Sequence, residues 1–392
     1  MKNHASSPSF VLLLSALIAL PALGTDLFAP AVPALSDALG AHVSAGQFTL
    51  TAFFIGIAGG QIAWGPLSDR FGRKPVLYVG LGIMLLSSGA AALATSVQAV
   101  SIARVAQGLG MSSGSLIGRT IVRDLYVHEE AARLLSRMAI LFSLVPLCAP
   151  VIGAALVSVA GWPSVFYFMT AAALALLVIL ARLPETAPAE RRSVRLRAIA
   201  GTFASILGDA RFRAPFLLIL CSHVGILAWV SSSSFALVRG LGVSTLAYGF
   251  MFGAVMFGQI CGAWASSRLV LRLGIGRLLR LGASVMLAAG AAAALPAWAG
   301  VEHWLAVVLP FTLFLFGTAI VFPNAMAARR NRWSSCPFNR GCPRPPLMAF
   351  RPPIQSFRRP LHRARRTRRP ERCQCLCRLP RQTPIPRGAL ST

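Results

Sequence analysis

Charge is scarce in this sequence. Only 12% of its 392 residues are Asp, Glu, Lys or Arg, the acids number 11, and lysine occurs twice, at Lys2 and Lys74. A soluble domain keeps about a quarter of its residues charged, so a chain of two or three soluble domains is excluded. With 56% hydrophobic residues and a mean hydropathy of +0.67, apolar runs long enough to cross a bilayer recur along the chain. Also lacking is a small-residue cleavage site after the first apolar run, which starts at Phe10 behind a short lead, Met1 to Ser9. That run is therefore expected to remain as a span rather than be removed as a signal. No zinc pattern is present either: Cys373, Cys375 and Cys377 are spaced more tightly than zinc sites use and have no matching second pair. Cys148, Cys221 and Cys261 lie inside apolar runs and are expected to pack as small hydrophobes.

What remains is an all-α polytopic membrane protein. Ten spans of about 20 residues can be drawn: Phe10 to Ala34, Val43 to Trp64, Val76 to Ala94, Val97 to Ile117, Arg137 to Val159, Pro163 to Ala181, Ala214 to Leu237, Tyr248 to Ser266, Arg280 to Ala299 and His303 to Ala325. Basic residues occupy alternate connections; those around Asp37, Thr95, Gly161 and Glu302 carry none except Arg239. The positive-inside rule then puts the N-terminus in the cytoplasm. The long connection after the sixth span divides the chain into a six-helix bundle (1–183), a cytoplasmic linker (184–213), four further helices (214–328) and a tail (329–392). A faint internal echo accompanies this division. Arg268 and Gly274 to Arg277 follow the eighth span as Arg70 and Gly72 to Arg73 follow the second, without the acid.

The densest charge cluster is Gly65-Pro66-Leu67-Ser68-Asp69-Arg70-Phe71-Gly72-Arg73-Lys74-Pro75. Charge is costly at the centre of a bilayer, so this stretch is expected to be a loop at a water boundary. Positive-inside sorting accounts for Arg70, Arg73 and Lys74, but not for an acid with glycines in register. Gly65, Asp69, Arg70, Gly72, Arg73 and Lys74 are therefore read as a gate, in which Asp69 engages a helix N-terminus or an arginine in one conformation and releases it in another.

One acid and one arginine fall within spans, Asp26 in the first and Arg104 in the fourth. Asp26 lies about 8 residues from the end of its span, roughly 12 Å at 1.5 Å per residue. Arg104 lies about equally deep from the same face, and Gln107 one turn on shares its side of the helix. Either Asp26 loads and unloads a proton, with burial raising and Arg104 lowering its proton affinity, or the two form a fixed ion pair joining two helices. An ionisable group inside the membrane favours the first reading.

Glycines spaced by four, at Gly110, Gly114 and Gly118, Gly56 and Gly60, Gly249 and Gly253, and Gly258 and Gly262, let helices approach closely. Pro146, Pro150 and Gly153 loosen the fifth span. His223 reads as a packing histidine. Phe28, Phe53, Phe54, Trp229 and Phe235 either line a drug pocket or face lipid and neighbouring helices.

Several stretches together resemble the drug:proton antiporters of the Bcr/CflA type within the major facilitator superfamily: Asp26 to Pro33, the Gly65 to Pro75 cluster, Arg104 to Gly108, Arg123 to Tyr126, Ala149 to Gly153, Leu183 to Thr186 and Pro323 to Ala327. The resemblance implies a twelve-helix major facilitator fold in the bacterial inner membrane. It also implies export of small drugs such as bicyclomycin or chloramphenicol by alternating access, with the proton gradient in place of a cofactor. By the same resemblance Asp26 couples proton and substrate, Arg104 is its partner, and Asp69 closes a gate against the eleventh helix. The expected partners are a small-molecule drug and the lipid bilayer, with no nucleic acid and a monomeric protein. The alternatives are a proton-coupled nutrient importer and a membrane-anchored lipid- or RNA-binding protein.

After Ala328 the resemblance stops. From Arg329 to Thr392 the chain holds seventeen arginines, eleven prolines and a single acid, Glu371, a composition that cannot form an apolar helix. A shifted reading frame accounts for it best, since out-of-frame GC-rich codons read largely as Arg, Pro and Cys. The tail is expected to be disordered and the last two helices absent, which would impair efflux.

Overall fold

A chain this apolar must pair its own backbone groups within the bilayer, and a helix does so within one segment. Helices are the only regular structure among the described residues of the computed structural model, which are 8–126, 128–181, 185 and 210–333. Most of the linker and the tail beyond residue 333, with their arginines and cysteines, lie outside the described residues.

The first crossing is α1 (Pro8–Asp26), a 3-10 turn (Ala29–Ala31) and α2 (Val32–Ala38). There follow α3 (Val43–Phe71), α4 (Arg73–Ala92), α5 (Val97–Leu125), α6 (His128–Ala160) and α7 (Pro163–Leu180). After the linker come α8 (Ala210–Ser234), continued by a π-helical turn (Phe235–Gly240), α9 (Thr245–Trp298) and α10 (Trp304–Trp333). α9 is two helices joined at Gly274. Counting it twice, the described residues make ten crossings, as the sequence led us to expect. Eight meet the length and hydropathy of a membrane span. The other two are α5, interrupted by Arg104, Gln107 and several serines, and α6, whose apolar part is confined to Leu144–Ala160.

Several boundaries differ from expectation. The Gly65 to Pro75 cluster is not a loop: α3 stays helical through Phe71, and Gly72 alone turns the chain into α4. Seven residues of helix thus extend past the expected end at Trp64, because the charged face of an α-helix can project into water without unwinding. α5 likewise runs to Leu125, α6 begins at His128, and α10 continues through the first arginines of the tail to Trp333.

Gly72 and Gly274 show the internal echo in three dimensions. The first has φ 103° and ψ 164°, the second φ 73° and ψ 160°. Both occupy a region that a Cβ disfavours, and each turns one helix into the next at the same end of the molecule.

α5 is the hub of the first half, packed against α1, α3 and α4. Glycine makes those contacts close. A Cβ on Gly56 would strike the Val105 carbonyl of α5, one on Gly108 the Phe53 carbonyl of α3, and one on Gly114 the Leu17 carbonyl of α1. Backbone-to-backbone approach of this kind is what small residues provide between membrane helices. α9 and α10 meet in the same way, Gly258 and Gly262 lying against the carbonyls of Thr312 and Phe316.

Candidate functional site

Proline chemistry decides where Asp26 sits. Pro30 has no N–H to bond the Asp26 carbonyl four residues earlier, and its ring crowds that carbonyl. α1 accordingly stops at Asp26, and the chain takes a turn and a 3-10 segment before α2 begins. The carboxylate is buried and accepts a hydrogen bond from Thr25 Oγ1 at 3.1 Å. Opposite the break, α6 presents Gly153, whose missing side chain leaves room for the Leu27 carbonyl and the Pro30 ring. Pro30 and Gly153 were both legible in the sequence, although the break they build was not anticipated.

Arg104 is fully buried on α5. Its guanidinium lies between two rings, 4.3 Å from the centroid of Phe28 and 4.0 Å from that of Phe53, the geometry of a desolvated cation–π contact. Nη1 donates to the Gly24 carbonyl at 3.1 Å and to Gln107 Oε1 at 2.5 Å. Gln107 Nε2 in turn donates to Ser88 Oγ at 2.7 Å. Among the described residues, Nε and Nη2 have no hydrogen-bond partner.

Asp26 and Arg104 thus lie in one buried region, but the direct ion pair expected between them is not among the ion pairs of the described residues. The guanidinium has turned to the Gly24 carbonyl at the end of α1. The 3-10 turn that follows Asp26 packs against α9, which carries Tyr248. Tyr248, also buried, shares a hydrogen bond with Ser233 Oγ at 2.9 Å.

At the α3–α4 corner, Arg73 Nη1 bonds Asp69 Oδ1 at 2.6 Å and Ser68 Oγ at 2.7 Å, and its Nε bonds Asp124 Oδ2 on α5 at 3.1 Å. Burial pushes the Asp124 carboxyl above its usual range, against the opposing pull of the Arg73 guanidinium. Glu185 caps α4: its two carboxylate oxygens accept the backbone N–H groups of Arg73 and Lys74 at 3.0 and 3.1 Å, satisfying donors that a helix start leaves open. Lys74 Nζ bonds the Ala181 carbonyl at 3.0 Å. Gly72 serves this corner twice, through its positive φ and because a Cβ there would lie 2.8 Å from Glu185 Oε2. Sequence reasoning assigned no role to Asp124 or Glu185. The available signal was their place in two of the stretches that carry the family resemblance, Arg123 to Tyr126 and Leu183 to Thr186.

Arg70 lies apart from this network, its guanidinium 5.2 Å above the Phe71 ring, and Gly65 has open space where a Cβ would be. His223 is exposed, its Nδ1 3.0 Å from the Ile219 carbonyl and its ring 5.7 Å from that of Phe322.

Contacts between the first seven helices and the last three gather at the end away from Asp69. Asp37, just before α3, pairs with Arg239 of the π-helical turn. The Phe235 ring of that turn packs on Gly46 of α3. Gly249 and Gly253 of α9 lie against Pro150, Val151 and Leu147 of α6. Arg239, the single basic residue out of pattern in the sequence, thus has a partner across the two halves.

A family model described as Major Facilitator Superfamily matches residues 14–332. The chain is 28% identical over 344 residues to a bicyclomycin resistance protein homolog of Haemophilus influenzae, an alignment covering 86% of this chain and 84% of that protein. It is 29% identical over 320 residues to Multidrug resistance protein D of Escherichia coli, covering 81% and 79%. It is 32% identical over 284 residues to a chloramphenicol resistance protein of Pseudomonas aeruginosa, covering 69% and 66%. Among solved structures, a bacterial homolog of the lysosomal transporter Spinster, inward-facing and unoccupied, superposes with a TM-score of 0.63 at 16% identity, covering 82% of this chain and 75% of that one. The xylose transporter XylE of E. coli, partially occluded and inward open, gives 0.61 at 17% identity, covering 83% and 88%. At such identities these two share the fold.

Proposed function

The chain belongs to the major facilitator superfamily, and from that premise we propose that it is a drug:proton antiporter that exports small antibiotics across the bacterial inner membrane. The observation that carries this reading is the unfilled edge of Arg104. Nε and Nη2 form the side of a guanidinium that matches a carboxylate with two parallel hydrogen bonds, and here that edge is buried and empty. Asp26 sits at a helix break beside the Gly24 carbonyl that holds the other side of the same guanidinium. In the proposed cycle, deprotonated Asp26 turns onto the Arg104 fork, and protonation releases it to the position seen here, beside Thr25. Gln107 and Ser88 hold the guanidinium in place between Phe28 and Phe53 while the acid moves.

The relatives named above, drug-resistance proteins of bacteria, support drugs as the substrate class. Alternating access needs two ends that open in turn. The contacts at Asp37–Arg239 and Gly249–Pro150 close one end in this conformation, and the Asp69–Arg73–Asp124 network lies at the other. Basic residues cluster at the Asp69 end, which we assign to the cytoplasm together with the N-terminus. In this reading residues 1–183 rock as one unit against the helices from residue 214 onward, within a single protomer, and Asp69, Arg73 and Lys74 belong to the cytoplasmic gate.

Transport into proteoliposomes driven by an imposed pH gradient tests the proposal, with chloramphenicol as probe. D26N is expected to lose gradient-driven transport by tenfold or more while still binding the drug. Parental gradient-driven rates in D26N would remove Asp26 from coupling.

A further inference from the structure

Two buried donors in the second half are left over from the coupling site. Trp229 on α8 is 1% exposed and Ser234, on the last turn before the π-helical segment, is 0% exposed. Among the described residues the indole Nε1 has no hydrogen-bond partner, and the Ser234 Oγ, close to the Tyr248 hydroxyl, has no other. Native proteins satisfy roughly nine in ten buried polar groups, so each exception calls for a reason. An indole N–H can only donate, and leaving it bare in an apolar interior costs about 1–3 kcal/mol.

The surroundings of Trp229 are aromatic. Its ring lies 4.6 Å from that of Phe311 on α10 at an interplanar angle of 35°, and 5.9 Å from that of Phe252 on α9 at 38°. One turn before Phe252, Tyr248 packs edge-on against it at 5.9 Å, its hydroxyl held by Ser233. α8 and α9, which carry Trp229 and Tyr248, both pack against the 3-10 turn that follows Asp26. The bare donors therefore belong to the wall of the second half that faces the coupling acid. A π-helical turn beginning at Phe235 completes the segment, and such turns recur at functional sites.

We propose that Trp229 and Ser234 form a drug subsite in the second half, taking neutral, planar aromatic substrates that carry a carbonyl or nitro acceptor; this rests on the antiporter reading above. The acceptor receives the indole N–H and the seryl hydroxyl, and the substrate ring packs against the aromatic group that Trp229 forms with Phe252 and Phe311. No acid stands among Trp229, Ser234, Phe252 and Phe311 to pair with a cationic drug, whereas the bare donors select a neutral drug that carries an acceptor. Asp26 and Arg104 carry the proton, while this wall sets which aromatic drugs are held.

Binding to the purified full-length protein in nanodiscs separates the possibilities with two probes. Chloramphenicol has a planar ring with nitro and amide acceptors; tetraphenylphosphonium has rings and no acceptor. W229F keeps an aromatic ring and removes only the N–H. W229F and S234A are each expected to lower affinity for chloramphenicol relative to tetraphenylphosphonium by about threefold to tenfold, the worth of one neutral hydrogen bond. Unchanged affinity for chloramphenicol in both variants overturns the subsite and leaves the efflux reading standing. So does an equal loss for both probes, which marks a packing role, or a parent protein that binds tetraphenylphosphonium alone. A parent that binds neither probe overturns the drug-efflux reading and the subsite with it.

Discussion

Arg104 shows how much one side chain can hold. Its guanidinium is stacked between Phe28 and Phe53, bonded on one edge to Gln107 and Gly24, and empty on the other. Lysine supplies the same charge but neither the planar stack nor the fork. R104K is therefore expected to reduce gradient-driven transport about tenfold or more, with a thermal unfolding midpoint close to the parent's. Parental transport in R104K would mean that a point charge suffices and that the fork has no part in coupling. From sequence, Asp26 and Arg104 could be picked out because ionisable residues inside a span are so rare. That they stand apart in this conformation was not legible. It depends on which way two side chains turn across two helices, and on the Gly24 carbonyl made available where Pro30 ends α1.

At the scale of elements, glycine positions set the helix geometry, and two substitutions probe it. G72A puts a Cβ at φ 103° and against Glu185. It is expected to destabilise the protein by about 1–3 kcal/mol and to loosen the cap on α4, read as a lower midpoint in thermal unfolding. G108V should wedge α3 from α5 at the Phe53 carbonyl. Overpacking of this order costs typically about 1–3 kcal/mol, and because Phe53 also stacks on Arg104, transport should fall with stability. If G108V left both unchanged, the two helices would not be in the backbone contact described. The spacing of Gly56, Gly60, Gly110 and Gly114 announced close packing from the sequence. Which helix each glycine meets did not follow, because a helix carries small residues on several faces and only the assembled bundle pairs them.

At the scale of the molecule, the two halves are joined at one end through Asp37 and Arg239, Gly46 and Phe235, and the α6–α9 seam. An exposed ion pair adds little stability, on the order of 0–1 kcal/mol, so its value lies in where it sits. If this end opens during transport, joining D37C to R239C in the protein with its other cysteines replaced should stop transport. A cleavable bismaleimide would do this, and cleavage should restore the activity. Full transport in the cross-linked protein would show that this end need not part. Arg239, an exception when the loops are sorted by charge alone, becomes intelligible as one side of a contact spanning 202 positions of sequence.

Local physics determined much of this protein directly from its residues. Long apolar runs impose membrane helices, a buried acid and a buried arginine mark themselves by their cost, and glycine and proline show where helices touch or break. The partners of those residues were decided only in three dimensions. Arg73 reaches Asp124 on α5, Glu185 reaches back to cap α4, Arg104 keeps its fork empty, and Trp229 is left without an acceptor. Each of these is a relation between helices distant along the chain. Span-by-span hydrophobicity carries no information about which faces meet, because that is fixed by how all the helices pack at once.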